Sequence, residues 1–104
     1  MTIREKLVQA NIPGIGEKVY YGTAHNKPTA PFLVYLGNGQ RQILADDTIY
    51  TSLEQYQIEY YYEKKDPTRE AAIEQALLDM GYIYEKSSDN YVSDIDMYLI
   101  YYYI

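Results

Sequence analysis

The clearest alternation of apolar and polar residues lies between Leu53 and Tyr84, and it predicts a strand, a helix and a second strand. Apolar residues occupy every second position at its start: Tyr56, Ile58, Tyr60 and Tyr62. Polar residues fill the positions between them: Gln55, Gln57 and Glu59. This period of two is typical of a strand with one buried face. We expect the rest of the chain to pack around this segment.

The helix within this segment has recognisable ends. Asp66 can cap the first turn, because it precedes Pro67, whose fixed φ suits the first helical position. Gly81 supplies the left-handed residue that ends the helix. One face is apolar, with Ala72, Ile73, Ala76, Leu77 and Met80, and the other faces are predicted to be polar, with Glu70, Glu74, Gln75 and Asp79. A strand from Tyr82 to Lys86 is expected to follow.

A shorter helix is predicted at the N-terminus. Thr2 to Glu5 matches the capping-box pattern and begins a helix of two to three turns. Val19 to Tyr21 then forms a short strand, and Gly22 to Ala30 forms a loop. Farther along the chain, before the second helix, Lys64 and Lys65 are interpreted as a solvated turn.

The apolar run Pro31 to Leu36 predicts a strand that lies at the sheet centre or is covered on both faces. Asn38 and Gly39 follow it. This pair is the strongest short signal for a two-residue hairpin, because both central residues of that turn need positive φ. We therefore expect Gln40 to Ala45 to pair back against Phe32 to Leu36.

Two further breaks frame the remaining strands. Asp46, Asp47 and Thr48 interrupt the pattern before the long strand, and Ser87 to Asn90 form a polar turn after it. The last strand is predicted over Ser93 to Tyr103. With two helices on one face of a mostly antiparallel sheet of about five strands, the chain is predicted to be a single α+β domain spanning 1–104.

Composition limits the available chemistry. The chain has no cysteine, which excludes a disulfide scaffold and a thiolate zinc site. Its formal net charge of -6 opposes specific nucleic-acid binding and adhesion to an anionic membrane. No apolar run approaches the roughly 18 residues of a membrane helix, and the N-terminus lacks the apolar core of a signal peptide. We expect a cytoplasm-like compartment and no membrane partner.

Candidate catalytic and metal-binding residues are few. Asp46 with Asp47, and Asp94 with Asp96 on one side of the predicted last strand, offer too few ligands for calcium or magnesium. His25 is the only histidine and has no sequence partner for a metal or a catalytic relay, so we interpret it as an exposed loop residue. We predict no cofactor, no metal site and no enzymatic activity.

The chain has 15 tyrosines against 1 phenylalanine and no tryptophan, and the tyrosines cluster at predicted strand positions. One interpretation is that tyrosine favours strands and covers a partly solvent-exposed sheet face, with its hydroxyl in contact with water. The other is that surplus tyrosines form a docking surface for protein, because tyrosine offers a large rigid area at low entropic cost. The sequence leaves both interpretations open.

From Tyr20 onwards the chain contains a characteristic succession of segments: PFLVYL with its hairpin, the break at Asp46 and Asp47, YQIEYYYEKKD followed by PTREAAIEQALLDMGY, and the closing MYLIYYYI. This arrangement resembles the small tail-completion proteins of long-tailed bacteriophages, also called tail terminators or head-to-tail joining proteins. In that family a lysine-aspartate turn leads to a helix with an IE-x-x-L core, here Ile73, Glu74 and Leu77. The motifs are structural and carry no catalytic signature.

The resemblance implies a ring of identical subunits, expected to be a hexamer, at the head-proximal end of the tail tube. There it would stop tube polymerisation and join the tail to the head. Its partners would be the tail tube protein and a head-completion protein, in the host cytoplasm during assembly and then in the virion. Whether the free chain is a monomer is left open.

We nominate the loops Gly22 to Ala30 and Asn38 to Thr48 as assembly segments. The site residues are His25, Asn26, Lys27, Asn38, Gln40, Arg41, Asp46 and Asp47. Two alternative functions remain. One is another neck component, such as the head-completion protein that seals the portal. The other is a small acidic inhibitor or binding module, for instance a DNA mimic, although the acidic residues are scattered and not spaced like phosphates.

Overall fold

The computed structural model describes residues 2–24, 28–45 and 48–104, and for residues 41–45 and 48–53 it describes the backbone alone. Within this part of the chain there are two helices and six strands. Their bounds are α1 Ile3–Gln9, β1 Val19–Tyr21, β2 Phe32–Ala45, β3 Thr48–Tyr62, α2 Pro67–Asp79, β4 Glu85–Lys86, β5 Asn90–Val92 and β6 Met97–Tyr103. The predicted α+β class is confirmed.

The strands form one sheet with β3 at its centre. β2 pairs with one side of β3 and β6 with the other, and both pairings are antiparallel. β1 adds a parallel edge strand beside β2, while β4 and β5 pair with separate parts of β6. The sheet is therefore mostly antiparallel, as predicted.

Both helices cover the same face of the sheet and close one apolar core. Alternation along β3 places Ile58 and Tyr60 in this core, where both are fully buried beside Tyr102 and Ile100 of β6. The helices contribute Ile3, Leu7, Ile73 and Leu77. The prediction that both helices lie on one face of the tyrosine-bearing sheet is confirmed.

Helix α1 has its predicted capping box, in which the backbone amide of Glu5 donates to Thr2 Oγ1 at 3.2 Å. Arg4 then donates to the carbonyl oxygens of Val19 at 3.0 Å and Glu17 at 3.2 Å. These bonds attach the edge strand β1 to the helix. The predicted short helix and short strand are both confirmed.

Helix α2 begins and ends as predicted. Asp66 Oδ1 accepts a hydrogen bond from the amide of Arg69 at 3.1 Å, and the helix ends before Gly81, whose φ is 88°. The predicted polar faces are wrong at one position, because Glu70 is only 4% exposed. Glu70 precedes Ile73 by three residues and Leu77 by seven, so it lies on their buried face.

The predicted hairpin at Asn38 and Gly39 is wrong. β2 continues through these residues to Ala45, and residues 40–45 pair with β3 instead of folding back on β2. Gly39 has the expected positive φ of 82°, but it lies in a shift of register between Gly37 and Gln40, which is a β-bulge. β2 ends at Ala45 and β3 begins at Thr48, and residues 46 and 47 lie outside the described part.

The last part of the chain also differs from the prediction. Ser93 to Asp96 form a turn, and β6 begins only at Met97. Asp96 has φ 52°, a left-handed conformation that aspartate tolerates better than most residues. The predicted placement of Asp94 and Asp96 on one side of a strand is therefore wrong. Of the predicted strand 82–86, only Glu85–Lys86 forms β4, and Asn90, predicted in a turn, begins β5.

Candidate interaction site

A two-stranded ribbon extends from the sheet where β2 and β3 run past their neighbours. We define the ribbon as residues 40–45 and 48–54, which pair with each other. β1 stops opposite Tyr35 of β2, and the ladder of β6 ends opposite Gln57 of β3. The molecule is correspondingly long, with principal extents of 49 × 26 × 25 Å.

The ribbon is the part of the sheet with the least support from the rest of the fold. In the strand pairings of the described residues, no third strand lies beside it. A two-stranded hairpin is marginally stable in water by itself, and its outer edges present unpaired N–H and C=O groups. Such edges are templates for pairing with another chain.

The sequence-predicted site residues do not form one cluster in the described structure. Asn38 lies in the bulge, and Gln40 and Arg41 lie at the base of the ribbon, so the second nominated segment is mainly paired strand and not a loop. The side chain of Gln40 donates to the carboxylate of Glu54 across the ribbon base. Five nominated residues lie outside the described part: His25, Asn26, Lys27, Asp46 and Asp47.

The sheet face opposite the helices, which we call the open face, carries a cavity of about 410 Å³. The strands line it with Phe32, Val34, Tyr61 and Met97, and residues 22–24 and 94–96 line it from outside the strands. Its volume is within the range of about 300–1,000 Å³ that is typical of binding pockets. The first nominated segment, Gly22 to Ala30, therefore contributes to this cavity.

Sequence reasoning did not predict the cavity. The available signal was the apolar run Pro31 to Leu36, which was predicted to be covered on both faces or central in the sheet. Alternate residues of that run do face opposite sides, and Phe32 and Val34 of the open face are only 4% and 2% exposed. The hydrophobic pattern of this run does not show that the residues covering the open face leave a pocket.

Aromatic rings shape the floor of the cavity. Phe32 and Tyr61 stack with centroids 4.8 Å apart, and Tyr20 meets the edge of Phe32 at 6.0 Å. The hydroxyl of Tyr61 donates to Glu59 Oε1 at 2.6 Å. Burial and this hydrogen bond raise the pKa of Tyr61 well above its ordinary value.

Three carboxylates line the same cavity: Glu59, Asp94 and Asp96. Asp96 accepts a hydrogen bond from the Tyr91 hydroxyl at 2.6 Å. The salt bridges among the described side chains use other carboxylates, namely Asp66, Glu70, Glu74 and Asp89. Among the described side chains, the cavity thus combines an apolar, aromatic interior with negative charge that no cation pairs with.

A second cluster of charges lies on the helix side and is internally paired. Glu70 accepts hydrogen bonds from Lys65 at 3.1 Å and from Lys86 at 2.9 Å, and Lys86 also donates to Glu74 at 2.8 Å. Burial alone would lower the pKa of Lys86, but hydrogen bonds to Glu74 and Glu70 raise it to about 12. The prediction that Lys64 and Lys65 are solvated is confirmed by their exposure, and Lys65 in addition pairs with Glu70 and Asp89. This cluster ties β4 to α2.

Among the described residues, no group of three His, Cys, Asp or Glu side chains is placed to hold a metal ion. The same part of the chain contains no helix that is both long and apolar enough to cross a membrane. Comparison with family models, curated proteins and solved structures gives no match to this chain. Its function therefore has to be argued from the ribbon and the cavity.

Proposed function

We propose that this chain is a structural subunit of a long-tailed bacteriophage or prophage that ends the tail tube and joins the tail to the head. In this role it forms a ring at the head-proximal end of the tube through contacts between copies of itself. The tail tube protein and a head-completion protein are its other partners. Its action depends on the shape of exposed strands and not on a reactive centre.

The ribbon is the observation that carries this proposal. Its outer backbone edges have no strand beside them in the described pairings, and they gain partners when the ribbon docks on a neighbour. The ribbon and the rest of the sheet are different surfaces, so a contact between them is heterologous. Heterologous contacts between identical subunits close into rings when the rotation allows it.

The distribution of charge supports an assembly role over a DNA mimic. The net charge of -6 is compatible with a ring through which DNA passes without adhering, because like charges repel. A DNA mimic needs a row of free carboxylates at phosphate spacing. Here four carboxylates form salt bridges with lysine or arginine within the fold: Asp66, Glu70, Glu74 and Asp89.

The test is electron microscopy of lysates from a phage in which the gene for this protein is deleted. Loss of a tail terminator should give tails of uncontrolled, greater length without attached heads, and a plasmid copy of the gene should restore normal virions. Normal virions from the deletion strain would contradict the proposal. Tails of normal length beside empty, leaking heads would instead assign the chain to the head-completion step.

A further inference from the structure

We propose that the open-face cavity is the acceptor for the ribbon of a second copy of this chain, with Arg41 of the ribbon placed among the cavity carboxylates. This inference rests on the proposed ring assembly and specifies which two surfaces meet. It commits to one occupant, a neighbouring subunit. A basic segment of another protein is an alternative outcome of the test below.

The cavity has the chemistry that recognises a cation on an apolar stem. Its lining includes the stacked rings of Phe32 and Tyr61, and aromatic rings attract guanidinium groups. Glu59, Asp94 and Asp96 lie around these rings, and the salt bridges of the described side chains involve none of the three. Arginine suits such a site well, because its planar guanidinium can stack on a ring and bind carboxylates together.

The ribbon carries the complementary residues in its sequence. Arg41 is the only lysine or arginine between Gly37 and Glu54, and the ribbon sequence also contains Ile43, Leu44 and Ile49.

The ribbon cannot fill the cavity of its own subunit. Val34 of β2 lines the cavity, and Arg41 follows seven residues later in the same continuous strand. At about 3.3 Å per residue, the strand carries Arg41 roughly 23 Å away from Val34. The contact is therefore between subunits, and each copy offers one ribbon and one cavity, as a closed ring requires.

Because the chain has no cysteine, single introduced thiols report this contact directly. Full-length Gln42→Cys protein, which keeps Arg41, would be mixed with full-length Asp94→Cys protein, in the presence and in the absence of purified tail tubes, under mild oxidation. Gln75→Cys, at an exposed position of α2 on the helix side, replaces Asp94→Cys in the matched control. A disulfide-linked heterodimer can form only between two different molecules.

We expect several-fold more heterodimer from the Gln42 and Asp94 thiol pair than from the Gln42 and Gln75 thiol pair. A yield no greater than the control in both conditions would overturn the inference. A charge exchange gives an independent readout with intact ribbons. Arg41→Glu should abolish self-association in sedimentation, and Arg41→Glu combined with Asp94→Arg should restore it. If the double variant associates no better than Arg41→Glu alone, the pairing of Arg41 with Asp94 is contradicted.

These results separate the inference from the proposed function. If deletion of the gene gives overlong tails but the thiols do not join, the terminator role stands and another surface receives the ribbon. If the thiols join but deletion leaves virions normal, the chain self-associates as inferred and its role lies elsewhere. Crosslinking of Asp94→Cys to the tail tube protein alone, without any heterodimer, would show that the cavity receives a different protein and would refute the second copy as its occupant.

Discussion

Arg69 Nε donates a hydrogen bond of 2.7 Å to the carbonyl oxygen of Pro13, across 56 positions of sequence. The same guanidinium lies 3.4 Å from Asp66 and donates to the Tyr60 hydroxyl at 3.4 Å. A Cβ at Gly14 would come within 2.8 Å of it, so glycine lets the turn approach the arginine. One side chain thereby joins the turn after α1, the start of α2 and the central strand.

Replacement of Arg69 by methionine should therefore reduce the free energy of unfolding by about 1–3 kcal/mol, because hydrogen bonds from a charged donor are lost together. Methionine keeps much of the apolar stem, so the loss reports the guanidinium contacts. Urea denaturation followed by tyrosine circular dichroism measures it. Lys64→Met, at an exposed cation nearby, should change the value by less than about 0.5 kcal/mol, and equal losses for both variants would refute this role of Arg69.

The Glu74 carboxylate gives the fold a measurable dependence on acid. Burial would raise its pKa, but hydrogen bonds from Lys86 and Tyr102 outweigh burial and hold the pKa below its ordinary value of 4.5. A carboxyl group with a lowered folded pKa stabilises the protein above its unfolded pKa. That stabilisation is lost as the pH falls through the folded pKa.

We therefore expect wild-type protein to be more stable than Glu74→Gln near pH 7, and the difference to close as the pH falls below 4.5 and through the lowered folded pKa of Glu74. Thermal unfolding across this pH range measures both curves. Glu63→Gln, at an exposed position, serves as the control and should follow the wild-type curve throughout. A gap between wild type and Glu74→Gln that stays constant with pH would show that the glutamine acts through packing and not through the carboxylate charge.

The bulge at the base of the ribbon makes a prediction with a closely matched control. Gly37 and Gly39 both have open space where a Cβ would lie, but only Gly39 has positive φ, at 82°. Gly39→Ala should therefore cost about 1 kcal/mol, whereas Gly37→Ala should be neutral or slightly stabilising. Chemical denaturation of both variants measures the difference, and equal effects would contradict the assigned backbone conformation.

This bulge also explains why the sequence placed the hairpin in the wrong position. Asn38 and Gly39 indicate a need for positive φ, and Gly39 does meet that need. A positive φ is equally useful in a two-residue turn and in a bulge. The choice between them depends on the pairing of the next residues with β3 beyond the bulge, and local pattern cannot show a pairing partner.

The error at Glu70 has a different origin. The spacing of Glu70, Ile73 and Leu77 places all three on one helix face, so the burial of Glu70 was readable from periodicity. A glutamate is rarely buried unless a cation pairs with it, so the charge of Glu70 predicted exposure. Its partners Lys65 and Lys86 are brought together only in the folded chain. Long-range compensation of this kind leaves no local signal.

Shortening of the ribbon should leave the rest of the fold intact. Residues 41–53 would be replaced by the two-residue turn Asn-Gly, which keeps the observed pairing of Gln40 with Glu54 at the end of the hairpin. Because the ribbon has no third strand in the described pairings, we expect the free energy of unfolding to change by no more than about 1 kcal/mol. Circular dichroism and urea denaturation check both structure and stability, and a protein that no longer folds would show that the ribbon belongs to the core.

The most direct test of assembly through the ribbon is the length of tails in a deletion strain supplied with this ribbon-shortened protein. Leu78→Ser, at a 49% exposed position of α2 away from the ribbon, is the matched control. Electron microscopy should show overlong, headless tails with the shortened protein and normal virions with Leu78→Ser. Normal virions with the shortened protein, expressed and folded at wild-type levels, would contradict the account.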